Sequence, residues 1–171
     1  MFARTPRWAF TAILGVVIAM WAAHPVRSAD QSTAASDEDR LLLGTWKLNL
    51  AKSTYRIGPR PQSQTRTYVP QGDGVKASIV TTYADGRRRT VGYVANYDSL
   101  EYALTGLPDA DTIALKKVAP RTAEAVLSHA GKLIATARRV ISEDGQMMTI
   151  TYKGMLQGDQ VDYTAVYDKQ R

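Results

Sequence analysis

From Thr45 onward the chain alternates short polar/apolar runs with clusters of turn residues. Val75 to Tyr83 sets Val75, Ala77, Ile79, Thr81 and Tyr83 on one face. Arg87 to Tyr97 does the same with Val91, Tyr93, Ala95 and Tyr97. Period-two alternation between turn signals is the pattern of half-buried strands. It predicts ten runs: Thr45–Leu50, Ser63–Val69, Val75–Tyr83, Arg87–Tyr97, Glu101–Leu104, Thr112–Val118, Thr122–Ser128, Lys132–Ile141, Met147–Lys153 and Gln160–Asp168. Asp85-Gly86 suits a tight hairpin because both residues tolerate positive φ. Ala51 to Gln62, which holds Gly58-Pro59-Arg60-Pro61, is expected to be irregular.

Successive strands with short connections pair as antiparallel neighbours. A meander of this length closes or splits, because open edges are a liability. The expected fold is all-β, an antiparallel up-and-down barrel of about 8–10 strands, with a two-sheet sandwich as the alternative. A membrane-spanning barrel is disfavoured, since Arg66, Lys116, Lys117, Arg138 and Arg139 put charge at mid-strand on both faces.

The first part of the chain has a different pattern. Arg4 and Arg7 precede a mostly apolar run from Trp8 to Ala23, and Val26-Arg27-Ser28 supplies a small-residue exit. These are the marks of a secretory signal, so 1–28 is read as a signal peptide. Residues 29–40 follow as a polar lead-in with a short turn at Asp37 to Leu43, and the barrel domain is expected over 41–171. Without cysteine there is neither a lipid attachment site nor a disulfide, so the expected location is periplasmic or secreted. The 22 basic and 16 acidic residues give +6, which falls to about +3 once Arg4, Arg7 and Arg27 leave. That is too little to point to nucleic acid, and no stable membrane insertion is expected after the signal is removed.

Within the domain, Gly44-Thr45-Trp46-Lys47-Leu48 resembles the first strand of the calycins, the lipocalins and intracellular fatty-acid-binding proteins. Tyr163-Thr164-Ala165-Val166-Tyr167-Asp168-Lys169 resembles the last strand of the fatty-acid-binding proteins. The Gly44–Asn49 start, the loop from Gly106 to Asp111 and the ending Val166–Gln170 are similar to those of small exported bacterial proteins with lipocalin-like domains. The resemblance implies a calycin-like barrel closed by Gly44 and Trp46. In the fatty-acid-binding proteins the last strand carries Arg, one residue, then Tyr, both holding the ligand carboxylate. Tyr167 matches that Tyr, but Ala165 stands in the place of the Arg, so the family's head-group contact is expected to be missing. Their helix–turn–helix lid has no counterpart in Ala51 to Gln62.

Chemistry-bearing residues are few. His129 is the one histidine past the signal and lies beside a glycine turn. With no cysteine, no protein-built metal centre or cofactor site is expected. Asp109-Ala110-Asp111 lacks the run of oxygen ligands that calcium needs. No nucleophile elbow or phosphate loop occurs, so the protein is not expected to be an enzyme. Arg87-Arg88-Arg89 reads as a hairpin rim. One of Arg138 and Arg139 must face inward, either to replace the missing anion partner or to stack on Trp46. Tyrosines are concentrated in the strands, with Tyr93/Tyr97 and Tyr163/Tyr167 in phase. The candidate ligand-binding residues are therefore Tyr93, Tyr97, Arg138, Arg139, Tyr163 and Tyr167. The expected function is binding of a small hydrophobic or amphipathic ligand in the lumen. The alternative is a barrel with a packed core that acts through its rim or outer surface.

Overall fold

The computed structural model describes residues 37–156 and 158–171. The expected signal segment and most of the lead-in lie outside these residues. The chain opens with helix α1 (Asp37–Leu42) and continues into ten strands: β1 (Gly44–Ile57), β2 (Pro61–Gln71), β3 (Gly74–Tyr83), β4 (Arg88–Ala95), β5 (Asp98–Thr105), β6 (Thr112–Ala119), β7 (Thr122–His129), β8 (Lys132–Ile141), β9 (Met147–Leu156) and β10 (Asp159–Lys169). Each strand pairs antiparallel with the next, and β1 pairs with β10, so the sheet is a closed barrel. Closure leaves no open edge. The expected up-and-down barrel is the fold, and its strands follow the order of the sequence.

The two ends of the barrel differ. One end carries α1 together with the β2–β3, β4–β5, β6–β7 and β8–β9 connections; it is called the helix end here. The other carries the β1–β2, β3–β4, β5–β6, β7–β8 and β9–β10 connections and is called the turn end. At the helix end Trp46 is fully buried and its indole N–H donates to the Leu42 carbonyl at 2.7 Å. Gly44 turns the chain from helix to strand with φ of +110°, a conformation side chains rarely adopt.

The largest departure from the pattern-based expectation is β1. It runs through the expected irregular stretch as far as Ile57. Its register with β10 slips between Asn49↔Val166 and Thr54↔Thr164, a bulge that bends the strand and keeps it in the sheet. Side chains hold that bulge together. Ser53 Oγ donates to the Asn49 carbonyl at 2.6 Å and accepts from the Val166 N–H at 2.9 Å, and the Lys52 N–H donates to Asn49 Oδ1 at 3.1 Å. Only Gly58-Pro59-Arg60 separates β1 from β2, so no helical lid lies between them.

Candidate functional site: the barrel lumen

Alternation along each strand sends one set of side chains inward, and registration stacks these sets into rows. Across β2, β3 and β4 the rows are Tyr68, Ala77, Tyr93; then Arg66, Ile79, Val91; then Gln64, Thr81, Arg89. The far wall, on β7 and β8, places three alanines beside Leu127 and Arg139, with Ala123 opposite Arg139 and Ala125 opposite Ala137. Large side chains on one side therefore face methyl groups on the other, and the interior does not fill. A cavity of about 180 Å³ results. Its lining reaches the turn end at Pro59, Pro61, Tyr83 and Asp159 and stops short of Trp46.

A polar network lies inside. Tyr167 O–H donates to Gln64 Oε1 at 2.5 Å, and Arg66 Nε donates to the same oxygen at 2.9 Å. Gln64 Nε2 donates to Thr81 Oγ1 at 2.7 Å, and Arg66 Nη1 lies 3.4 Å from the Tyr68 hydroxyl. The Arg66 guanidinium also stacks over the Tyr167 ring at 5.1 Å. Burial opposes the charge on Arg66, but the phenols of Tyr167, Tyr68 and Tyr163 outweigh it and hold its pKa well above the ordinary arginine value. Arg139 behaves alike: burial opposes its charge, and Tyr97, Tyr68 and Tyr93 raise its pKa. Its Nη2 donates to the Tyr97 hydroxyl at 2.8 Å, and its guanidinium lies over the Tyr97 and Tyr68 rings at 5.6 and 5.8 Å. Beside them Tyr55, Tyr163 and Tyr152 form a stack with centroids 5.2 Å apart. Burial raises the pKa of all three phenols, and those of Tyr93 and Tyr167, so they stay neutral.

Of the residues expected in the lumen, Tyr93, Arg139, Tyr163 and Tyr167 line the cavity. Tyr97 sits outside the lining, in the β4–β5 connection, where it holds Arg139 from the helix end. Arg138 is a correction. It points outward and its Nη1 donates to Glu124 Oε1 at 2.7 Å, because Arg139 takes the inward position of β8. Neither arginine stacks on Trp46. Lys169 does so, with its ammonium 5.1 Å from the ring.

The sequence reading missed Arg66, Gln64 and Tyr152. The cation beside Tyr167 comes from β2, where Arg66 stacks on its ring, and not from Arg138 or Arg139, the replacements the sequence analysis offered. Parity held the signal, since Gln64 and Arg66 share a face with Tyr68. Among the turn residues, Asp111 Oδ2 accepts from the Ala130 N–H at 3.0 Å and lies 3.5 Å from His129 Nδ1. Among the described residues, no three His, Cys, Asp or Glu side chains come together as a metal site.

Fold and lumen together define a calycin-like barrel with a mostly apolar interior that carries tyrosines and a few fixed polar groups. Solved structures with the same fold include Rv2717c from M. tuberculosis, with a TM-score of 0.50 at 17% identity over 77% of this chain and 94% of that one. Zebrafish ileal bile acid-binding protein complexed with cholic acid gives 0.44 at 10% identity, over 76% of this chain and 99% of the other. EF1p2_mFAP2b bound to DFHBI gives 0.42 at 17%, over 80% and 100%. At 17% identity the likeness to Rv2717c is one of fold alone. No protein-family model and no curated protein matches the chain.

Proposed function

We propose that this protein is a binding protein that holds a small amphipathic molecule in its lumen, entered from the turn end. The observation that carries the reading is the cavity of about 180 Å³, lined by apolar walls with a few fixed polar groups and reaching a rim at Pro59, Pro61 and Asp159. Such a lining, mostly apolar with convergent polar groups, is that of small-molecule sites. The reading is one of binding without chemistry. Burial raises the phenols of Tyr163 and Tyr167 and keeps them neutral, and the pKa values of Arg66 and Arg139 are raised so that both stay charged. None of these groups exchanges a proton near neutral pH, as a general acid or base must.

An amide NMR titration with 2-naphthol tests the reading. The expected shifts cluster at Ile79, Val91, Ala125 and Ala137, and the folded variant Ala137→Leu weakens them by taking up the space. Shifts confined to the outer face, or none at saturating probe, would overturn it in favour of a barrel acting through its surface.

A further inference from the structure

Two of the arginines that line the lumen, Arg66 and Arg139, have no carboxylate partner among the described residues. Arg66 and Arg139 both line the cavity, and every partner either one has is neutral: Gln64 and Tyr68 for Arg66, Tyr97 for Arg139, and tyrosine rings for both. Three arginines on the outside do have carboxylate partners. Arg138 pairs with Glu124, Arg56 with Asp162 and Arg87 with Asp85. The one carboxylate in the lining, Asp159, stands exposed at the rim. Both guanidiniums are half-buried with neutral partners only, and Arg139 Nε is in addition buried without a hydrogen-bond partner among the described residues, so each retains capacity to bind an anion.

We infer that the ligand is a compact aromatic anion, of the aryl carboxylate class, with its charge against Arg66 and Arg139 and its ring against Ala123, Ala125 and Ala137. This rests on the lumenal binding reading and specifies it. The charge follows from the two arginines, which offer a desolvated anion strong charge-assisted hydrogen bonds. The size follows from the cavity. About 180 Å³ is close to the ~150 Å³ apolar cavity that accepts benzene and short of the ~300 Å³ at which drug-sized pockets begin. Flatness follows from the walls, because methyl groups on β7 and β8 present a smooth face opposite rings and guanidiniums that themselves stack on aromatic planes. A long alkyl chain has neither the room nor a stacking partner there.

Calorimetric titration of the full chain with 2-naphthoate, its neutral isostere 2-naphthamide and dodecanoate separates the possibilities. The expected order has naphthoate about tenfold or more tighter than the amide, with dodecanoate weaker than naphthoate. Arg66→Met and Arg139→Met are each expected to bring naphthoate down towards the amide, with a smaller loss for the amide, whose carbonyl accepts from the same guanidiniums. Thermal melts identify the variants that remain folded, and Arg66→Lys retains part of the preference if Met at that position does not fold. Equal binding of acid and amide would overturn the anion and leave the lumenal reading standing. Dodecanoate binding as tightly as naphthoate would overturn the compact aromatic ligand. Failure of both naphthyl probes, together with silence towards 2-naphthol, would remove the lumenal reading itself.

Discussion

The helix end and the lumen are built from the same residue types, aromatic rings and cations, yet they treat polar groups in opposite ways. At the helix end the last three carbonyls of α1 each find a donor. Arg40 O accepts from the Leu43 N–H at 3.2 Å, Leu41 O from Lys169 Nζ at 2.7 Å and Leu42 O from the Trp46 indole at 2.7 Å. A six-residue helix cannot satisfy its own last turn, and a lysine there also suits the negative end of its dipole. Lys169 further covers the Trp46 ring at 5.1 Å. A few ångströms along the barrel axis the accounting stops closing. Among the described residues Tyr152 O–H and Arg139 Nε are buried without partners, and the guanidiniums of Arg66 and Arg139 lack a carboxylate. One region is finished as structure; the other retains the unmet polar groups and space that a ligand would complete.

The sharpest way to break this contrast is at Trp46. It is fully buried, plugs the helix end and makes a hydrogen bond there. Trp46→Ala is expected to cost about 3–5 kcal/mol, the range for removing a buried aromatic side chain, read as a lower midpoint in urea unfolding. A midpoint equal to that of the wild type would mean that the helix end is not the finished region described here.

The sequence disclosed the fold and Trp46 because both depend on local information. Period two, turn residues and short connections specify a meander, and a meander of ten strands has few ways to avoid edges. The lumen was only half legible, because it depends on registration across strands. Arg138 and Arg139 are adjacent, and choosing between them requires knowing that Arg139 stands opposite Ile150 and Ala123. Arg66 looked like one more mid-strand charge until its register with Trp46 on β1 and Ile79 on β3 placed it inside. The cavity itself depends on alanines, and an alanine in a strand looks the same whether it faces a void or a neighbour. The long β1 was hidden by its bulge, whose support from Ser53 and Asn49 is a matter of side-chain hydrogen bonds rather than of pattern.

A smaller effect of opposite sign is expected in the lumen. Tyr152 is buried, its hydroxyl has no hydrogen-bond partner among the described residues, and its ring stacks on Tyr163. Tyr152→Phe keeps the stack and deletes the orphaned hydroxyl. Leaving such a group unsatisfied costs about 1–3 kcal/mol, so the ligand-free variant should gain about 1 kcal/mol of stability. The gain should appear as a raised thermal midpoint. A loss of stability would show that the hydroxyl is answered, by an internal water for instance, and that the lumen is better satisfied than the contrast requires.

The smallest effect tests whether the completeness of the helix end extends to its solvent-facing surface. Asp98 opens β5 beside the β4–β5 connection and accepts from the Tyr102 hydroxyl at 2.6 Å and from the Leu100 N–H at 3.0 Å. The hydrogen bond from Tyr102, followed by the one from Leu100, holds its pKa below the ordinary aspartate value of 3.8. A carboxylate depressed in the folded state adds stability that is fully present above the unfolded pKa and lost as pH falls through the folded one. Asp98 therefore contributes nothing to pH dependence near neutrality and acts only in acid. Tyr102→Phe removes the larger of the two hydrogen bonds, so the Asp98 pKa should rise towards 3.8 while staying below it, held by the Leu100 N–H. Carboxyl NMR titration of the two proteins reads this shift directly, and the acid limb of the stability curve should become shallower in the variant. An unchanged Asp98 pKa would mean that the phenol does not hold the carboxylate in solution, and that the satisfied network of the helix end stops at its buried core.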